Sequence, residues 1–182
     1  MRLNYVIAAI IGGLIPLVFV FILVFFDTKI GNPEEIKTLS RIPVLGVVGK
    51  SNYKTNLVVK DNPRSAISEA FRGIRSSLQF LYKSKGISGA KTVLVTSSVS
   101  GEGKTFTSMN IASVFALSEK KTVLVGLDLR KPKIFDDFEL SNETGVVNYL
   151  IGDASVDEVT QKSSLPFLDV ILSSTFSHIR SF

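Results

Sequence analysis

Residues 92–105 read Thr92-Val-Leu-Val-Thr96-Ser-Ser98-Val-Ser100-Gly101-Glu102-Gly103-Lys104-Thr105. The run 92–96 is short and almost wholly apolar, as a strand buried on both faces of a parallel sheet must be. The glycine-rich loop that follows matches the tail of a phosphate-binding P-loop. Such a loop needs glycines so that backbone N–H groups can converge on phosphate oxygens. It also needs a lysine to reach the β and γ phosphates and a hydroxyl to bind Mg²⁺. Here Gly101 and Gly103 allow the tight turn, Lys104 supplies the charge and Thr105 the hydroxyl. The general pattern opens on a glycine where this chain has Ser98. A helix over about 104–118 is expected next, through Phe106, Met109, Ile111, Ala112, Phe115 and Ala116, with its positive N-terminal end aimed at the loop.

Thr122-Val-Leu-Val125 is a second apolar strand candidate. Strand, loop, helix and strand form a βαβ unit with a right-handed crossover. The fold class expected is therefore α/β, a P-loop-type parallel sheet with flanking helices. Asp128 leaves the C-terminal end of that second strand, read as a neighbour of the P-loop strand, where open α/β sheets bind ligands. Ser155-Val-Asp-Glu158 reads as a capping box opening a short helix, and 167–172 as a third strand.

Upstream, Tyr5–Phe26 carries no charged residue. At 1.5 Å per residue this run crosses a hydrocarbon core of roughly 30 Å. A cleaved signal would have a shorter apolar core and a small-residue cleavage site, and a buried core helix is seldom apolar all round for so long. Arg2 precedes the run, whereas Lys29, Lys37 and Arg41 follow it, so the positive-inside rule puts the remainder in the cytoplasm. Residues 27–60 read as a juxtamembrane connector. Within it, Asn32-Pro-Glu-Glu35 opens a short helix and 42–48 is extended around Pro43. Residues 65–82 are expected to form an amphipathic helix through Ala66, Ala70, Ile74, Leu78 and Leu81, its stripe widened by Phe71 and Phe80.

Composition removes other chemistries. There is no cysteine, which excludes disulfides, thiolate metal sites and thiol catalysis, and the single histidine, His178, supports neither a histidine metal site nor a triad. The chain has 182 residues, a net charge of +5 and a mean hydropathy of +0.31, the last reflecting the apolar run. No basic stripe interleaved with aromatics points to nucleic acid.

Three motifs together resemble the bacterial tyrosine kinases that act as polysaccharide co-polymerases in capsule and exopolysaccharide export. TSSVSGEGKTFTSMNIA (96–112) is similar to that family's Walker A, which usually has proline where Ser100 stands. VLVGLDLRKP (123–132) is similar to its Walker A′, and EAFRGIRSSLQF (69–80) matches its ExxRxxR helix through Glu69, Arg72 and Arg75. The resemblance implies ATP and Mg²⁺ as cofactors and a protein-tyrosine kinase activity. By it, Ser100, Gly101, Glu102, Gly103, Lys104, Thr105 and Phe106 hold the nucleotide. Lys104 and Asp128 are catalytic, and Thr105 and Asp128 hold the metal, partly through water. It further implies a homo-oligomeric ring formed through Glu69, Arg72 and Arg75, contact with the polysaccharide export machinery, and an inner-membrane location.

There are departures. Gly126 stands where the family has its first aspartate, and neither a Walker B strand ending in aspartate nor a tyrosine-rich tail is found. The notable tyrosines are scattered (Tyr5, Tyr53, Tyr82, Tyr149), and residues 173–182 do not resemble the family. On this reading residues 61–182 are a truncated kinase domain whose sheet has an open edge. A non-catalytic chain-length scaffold and a MinD-like ATPase are the alternatives.

Overall fold

The structure, a computed structural model, describes residues 2–26, 33–40, 42–129 and 134–174. The chain divides into two compact units, Met1–Val44 and Leu45–Phe182. The first contains helix α1 (Arg2–Phe25) and the short α2 (Pro33–Leu39). Helix α1 continues through Pro16 and is long and apolar enough to cross a membrane by length and composition. In α2, Lys37 bonds Glu34 at 2.7 Å. The proposed cap Asn32 and the flanking charges Lys29 and Arg41 lie outside the described residues.

The second unit holds α3 (Val58–Asp61), α4 (Ala66–Ser84), α5 (Lys104–Ala116), β1 (Thr122–Val125), α6 (Ile134–Phe138), α7 (Val146–Ile151), α8 (Val156–Val159), β2 (Thr160–Lys162) and β3 (Leu168–Ile171). Residues 45–60, read from sequence as the end of the connector, belong to this unit, and Leu57, Val58 and Val59 are buried in it. Helix α4 starts where expected, its N-cap Ser65 accepting from the Ser68 amide. Its buried stripe is Ile67, Phe71, Ile74 and Leu78, spaced i, i+4, i+7, i+11. Phe80 lies off that line and is 75% exposed, so it does not widen the stripe, and Ala66 is exposed as well.

Helix α5 is covered on two sides. Met109, Ala112 and Ala116 pack with Leu124, Leu168 and Val170 of the sheet, while Val114, with Phe106, Ile111 and Phe115, packs toward α3 and α4. With both sides covered, polar residues of the helix are buried too, and Asn110 and Ser113 are satisfied by backbone carbonyls.

The sheet corrects the sequence expectation twice. It is mixed, with order β1-β3-β2: β1 pairs β3 in parallel (Thr122 opposite Leu168) and β2 pairs β3 antiparallel. The expected strand 92–96 is not formed. A strand exists only through bonds to a neighbour, and among the described residues nothing pairs with this segment or with the free edge of β1. Leu94 is 78% exposed, and Val93, Val123 and Val125 are exposed too. The βαβ unit therefore lacks its first member, and Asp128 does not follow a strand paired to the P-loop segment.

Candidate functional site

The P-loop is formed even though its strand is not. Gly101 (φ 92°) and Gly103 (φ 85°) both sit in the left-handed region that side chains disfavour. Gly103 is the N-cap of α5, so Lys104 and Thr105 open the helix as expected. The first intrahelical bond runs from the Thr107 amide to the Gly103 carbonyl at 2.8 Å. The amides of Lys104, Thr105 and Phe106 precede it, and helical geometry gives such leading amides no partner within the helix. With the dipole of a 13-residue helix behind them, these donors fit an anionic phosphate. Phe106 contributes only its backbone to this arrangement, because its ring packs against Phe71 with centroids 5.8 Å apart.

Two contacts within the loop were not anticipated from sequence. The Lys104 ammonium donates to the Ser97 hydroxyl at 2.9 Å, which holds it across the base of the loop. The Glu102 carboxylate accepts from the amides of Ser98 and Val99 at 3.1 and 3.4 Å, clipping the start of the loop to its middle. A serine one place before the motif carries no distinctive spacing. A Glu at i+4 on two loop amides is legible only once the turn is known. Ser100 lies exposed in the turn before Gly101.

Asp128 is exposed in the loop leaving β1. The ladder continues one residue past β1, with the Gly126 amide bonded to the Ile171 carbonyl at 2.8 Å. A Cβ at Gly126 would meet Ile134, the Ile171 carbonyl and the Ser173 amide at 3.4–3.6 Å, ordinary contact distances. The position therefore has room for the start of a side chain. Arg130, Lys131 and Pro132 of the A′ motif lie outside the described residues.

The ExxRxxR residues separate into two environments. Glu69 and Arg72 pair with one another, and Arg72 also donates to the Pro63 carbonyl at 2.7 Å; Glu69 is exposed. Arg75 turns inward and donates to the Val114 carbonyl in the last turn of α5 at 3.3 Å, while its buried Nε has no partner. A cation on a helix C-terminal carbonyl is favourable there. Arg75 thus does not share the exposed setting of Glu69.

No family model matches the chain. It is 36% identical over 123 residues to the tyrosine-protein kinase YwqD of Bacillus subtilis (strain 168), which covers 68% of this chain and 51% of YwqD. The chimerical protein CapA2B2 superposes with a TM-score of 0.70 at 30% identity, over 79% of this chain and 61% of that one. The chain belongs to the bacterial tyrosine kinase family. The kinase domain of Escherichia coli tyrosine kinase ETK agrees, with a TM-score of 0.68 at 25% identity over 81% of this chain and 60% of that domain. The fold is accordingly that of a P-loop kinase domain, here spanning about half the length of YwqD.

Proposed function

We propose that this chain is a membrane-anchored, Mg·ATP-binding module of a bacterial protein-tyrosine kinase that acts in capsule or exopolysaccharide polymerisation and export. The observation that carries the reading is the loop shaped by Gly101 and Gly103, with Lys104 and Thr105, both half-buried, at the head of α5. Lys104 neutralises phosphate charge, and the Thr105 hydroxyl, with Asp128 through water, holds Mg²⁺. Bound ATP would supply the phosphoryl group, and positioning and charge stabilisation are most of what the protein contributes to such a transfer. Helix α1 anchors the chain in the inner membrane with the second unit in the cytoplasm, as flanking charge suggests. Glu69 and Arg72 on α4 offer an exposed pair for ring assembly, and Arg75 supports that helix from within.

The test is nucleotide affinity and phosphotyrosine formation by the full chain in detergent, before and after Lys104→Ala. Loss of both supports the reading, and affinity unchanged by the substitution contradicts it. Gly126, which places no carboxylate beside Asp128, favours a second reading in which the chain is a non-catalytic assembly scaffold. Assembly indifferent to ATP, with no phosphotyrosine on any partner, would select that one. Phosphate release without any tyrosine acceptor would select a MinD-like ATPase instead.

A further inference from the structure

The P-loop is held in shape by its own side chains, and the centre of that hold is Val99. Its amide donates to the Glu102 carboxylate at 3.4 Å, and its carbonyl accepts from the Ser97 hydroxyl at 2.8 Å. The Ser98 amide also donates to Glu102, at 3.1 Å, and a single oxygen, Oε2, takes both amides. Ser97 has one proton to give and Val99 receives it, so a lone pair is left to face the Lys104 ammonium. Lys104 donates to that oxygen at 2.9 Å. A run of hydrogen bonds therefore passes from Lys104 through Ser97 to Val99 and on to Glu102, closing the loop from both ends. None of these bonds uses the amides of Lys104, Thr105 and Phe106, the donors at the head of α5 that fit phosphate.

Such a loop is ordinarily entered from a strand, whose ladder fixes where it starts. Here 92–96 forms no ladder among the described residues, and Gly101 and Gly103 add backbone freedom rather than restraint. Side-chain bonds then take the ladder's part in restricting the turn. A loop that holds its binding shape only part of the time loses apparent affinity by that fraction. We infer that Ser97 and Glu102 are positioning residues that clasp the P-loop in the shape that receives Mg·ATP. Ser97 aims Lys104, and Glu102 fixes residues 98 and 99. The inference rests on the Mg·ATP reading proposed above. Neither side chain needs to touch the nucleotide.

The test pairs a removal with a conservative replacement at each position. Ser97→Ala and Glu102→Ala delete the clasp bonds. Ser97→Thr keeps the hydroxyl, and Glu102→Gln keeps a neutral oxygen that can take both amides as Oε2 does. Mg·ATP affinity by calorimetric titration, and thermal midpoint, are to be measured for the full chain in detergent with each variant. Each alanine variant should bind Mg·ATP about threefold to tenfold more weakly, the scale of one or two hydrogen bonds. The thermal midpoint should hardly move, because Glu102 is exposed and Ser97 is not buried. The threonine and glutamine variants should bind within about twofold of the unaltered chain, less than one hydrogen bond is worth. An alanine variant that binds as the unaltered chain does, or a conservative variant that fails to recover, overturns the clasp alone. Weakened binding that comes with a lowered thermal midpoint also overturns it, since the residues would then be supporting the fold. No Mg·ATP binding by the unaltered chain overturns the P-loop reading and the clasp with it.

Discussion

The helical layer of α3, α4 and α5 and the segments 92–96 and β1 all carry large apolar side chains, yet these meet opposite fates. In the layer, Phe71, Ile74, Leu78 and Val114 are buried, and each helix satisfies its own backbone. In those segments Leu94, Val93, Val123 and Val125 are exposed, and 92–96 forms no ladder among the described residues. The difference lies in where backbone hydrogen bonds come from. A helix closes them within itself, whereas a strand needs neighbours, which 92–96 lacks among the described residues. The P-loop can still take its shape because its determinants, two left-handed glycines and the head of α5, are local.

The largest effect that could break this contrast is at the centre of the layer. Phe71→Ala removes a fully buried ring and should cost about 3–5 kcal/mol in chemical denaturation of the second unit. A loss comparable to that of a surface change would show the layer to be no firmer than the edge. Asn110→Ala should come next, leaving the Val59 amide and the Asn56 carbonyl without their partner, at about 1–3 kcal/mol per stranded group. Leu94→Ser sharpens the other side. Because Leu94 is exposed, stability should change by no more than about 0.5 kcal/mol, while solubility measured by sedimentation of aggregates rises. A large destabilisation would mean that 92–96 is packed after all.

The smallest effect concerns α8. The Ser155 amide and hydroxyl donate to the Glu158 carboxylate and hold its pKa below the ordinary value of 4.5. A depressed folded-state pKa means that this cap contributes fully above 4.5 and is lost as pH falls through the lowered value. Protection of the amides at 156–159, taken relative to an unfolded peptide at the same pH, should therefore fall only at acid pH, and Glu158→Gln should remove that loss. Protection in the unaltered chain that stays constant into the acid range would contradict the cap's role.

Legibility in the sequence followed the same division. Helices α4 and α5, β1, β3, the capping box at Ser155 and the P-loop geometry all depend on local periodicity or on residue types at short spacing, and all could be read. Strand β2 could not, because Thr160-Gln161-Lys162 has no apolar pattern and is defined by pairing with β3, Lys162 meeting Asp169 at 2.9 Å. The inward turn of Arg75 and the reach of Asn56 to Asp137 depend on tertiary neighbours up to 81 residues away in sequence. Phe80 shows the limit of composition as a guide, because an aromatic on an amphipathic helix still lies off the buried line when its spacing from Ile67 and Phe71 puts it there.

Isothermal titration of Mg·ATP into the full chain, with and without Lys104→Ala, tests the central claim most directly. The account predicts saturable binding by the unaltered chain that the substitution weakens by about tenfold to a hundredfold, the scale of a lost charge-assisted contact. Equal affinity in the two proteins would contradict it.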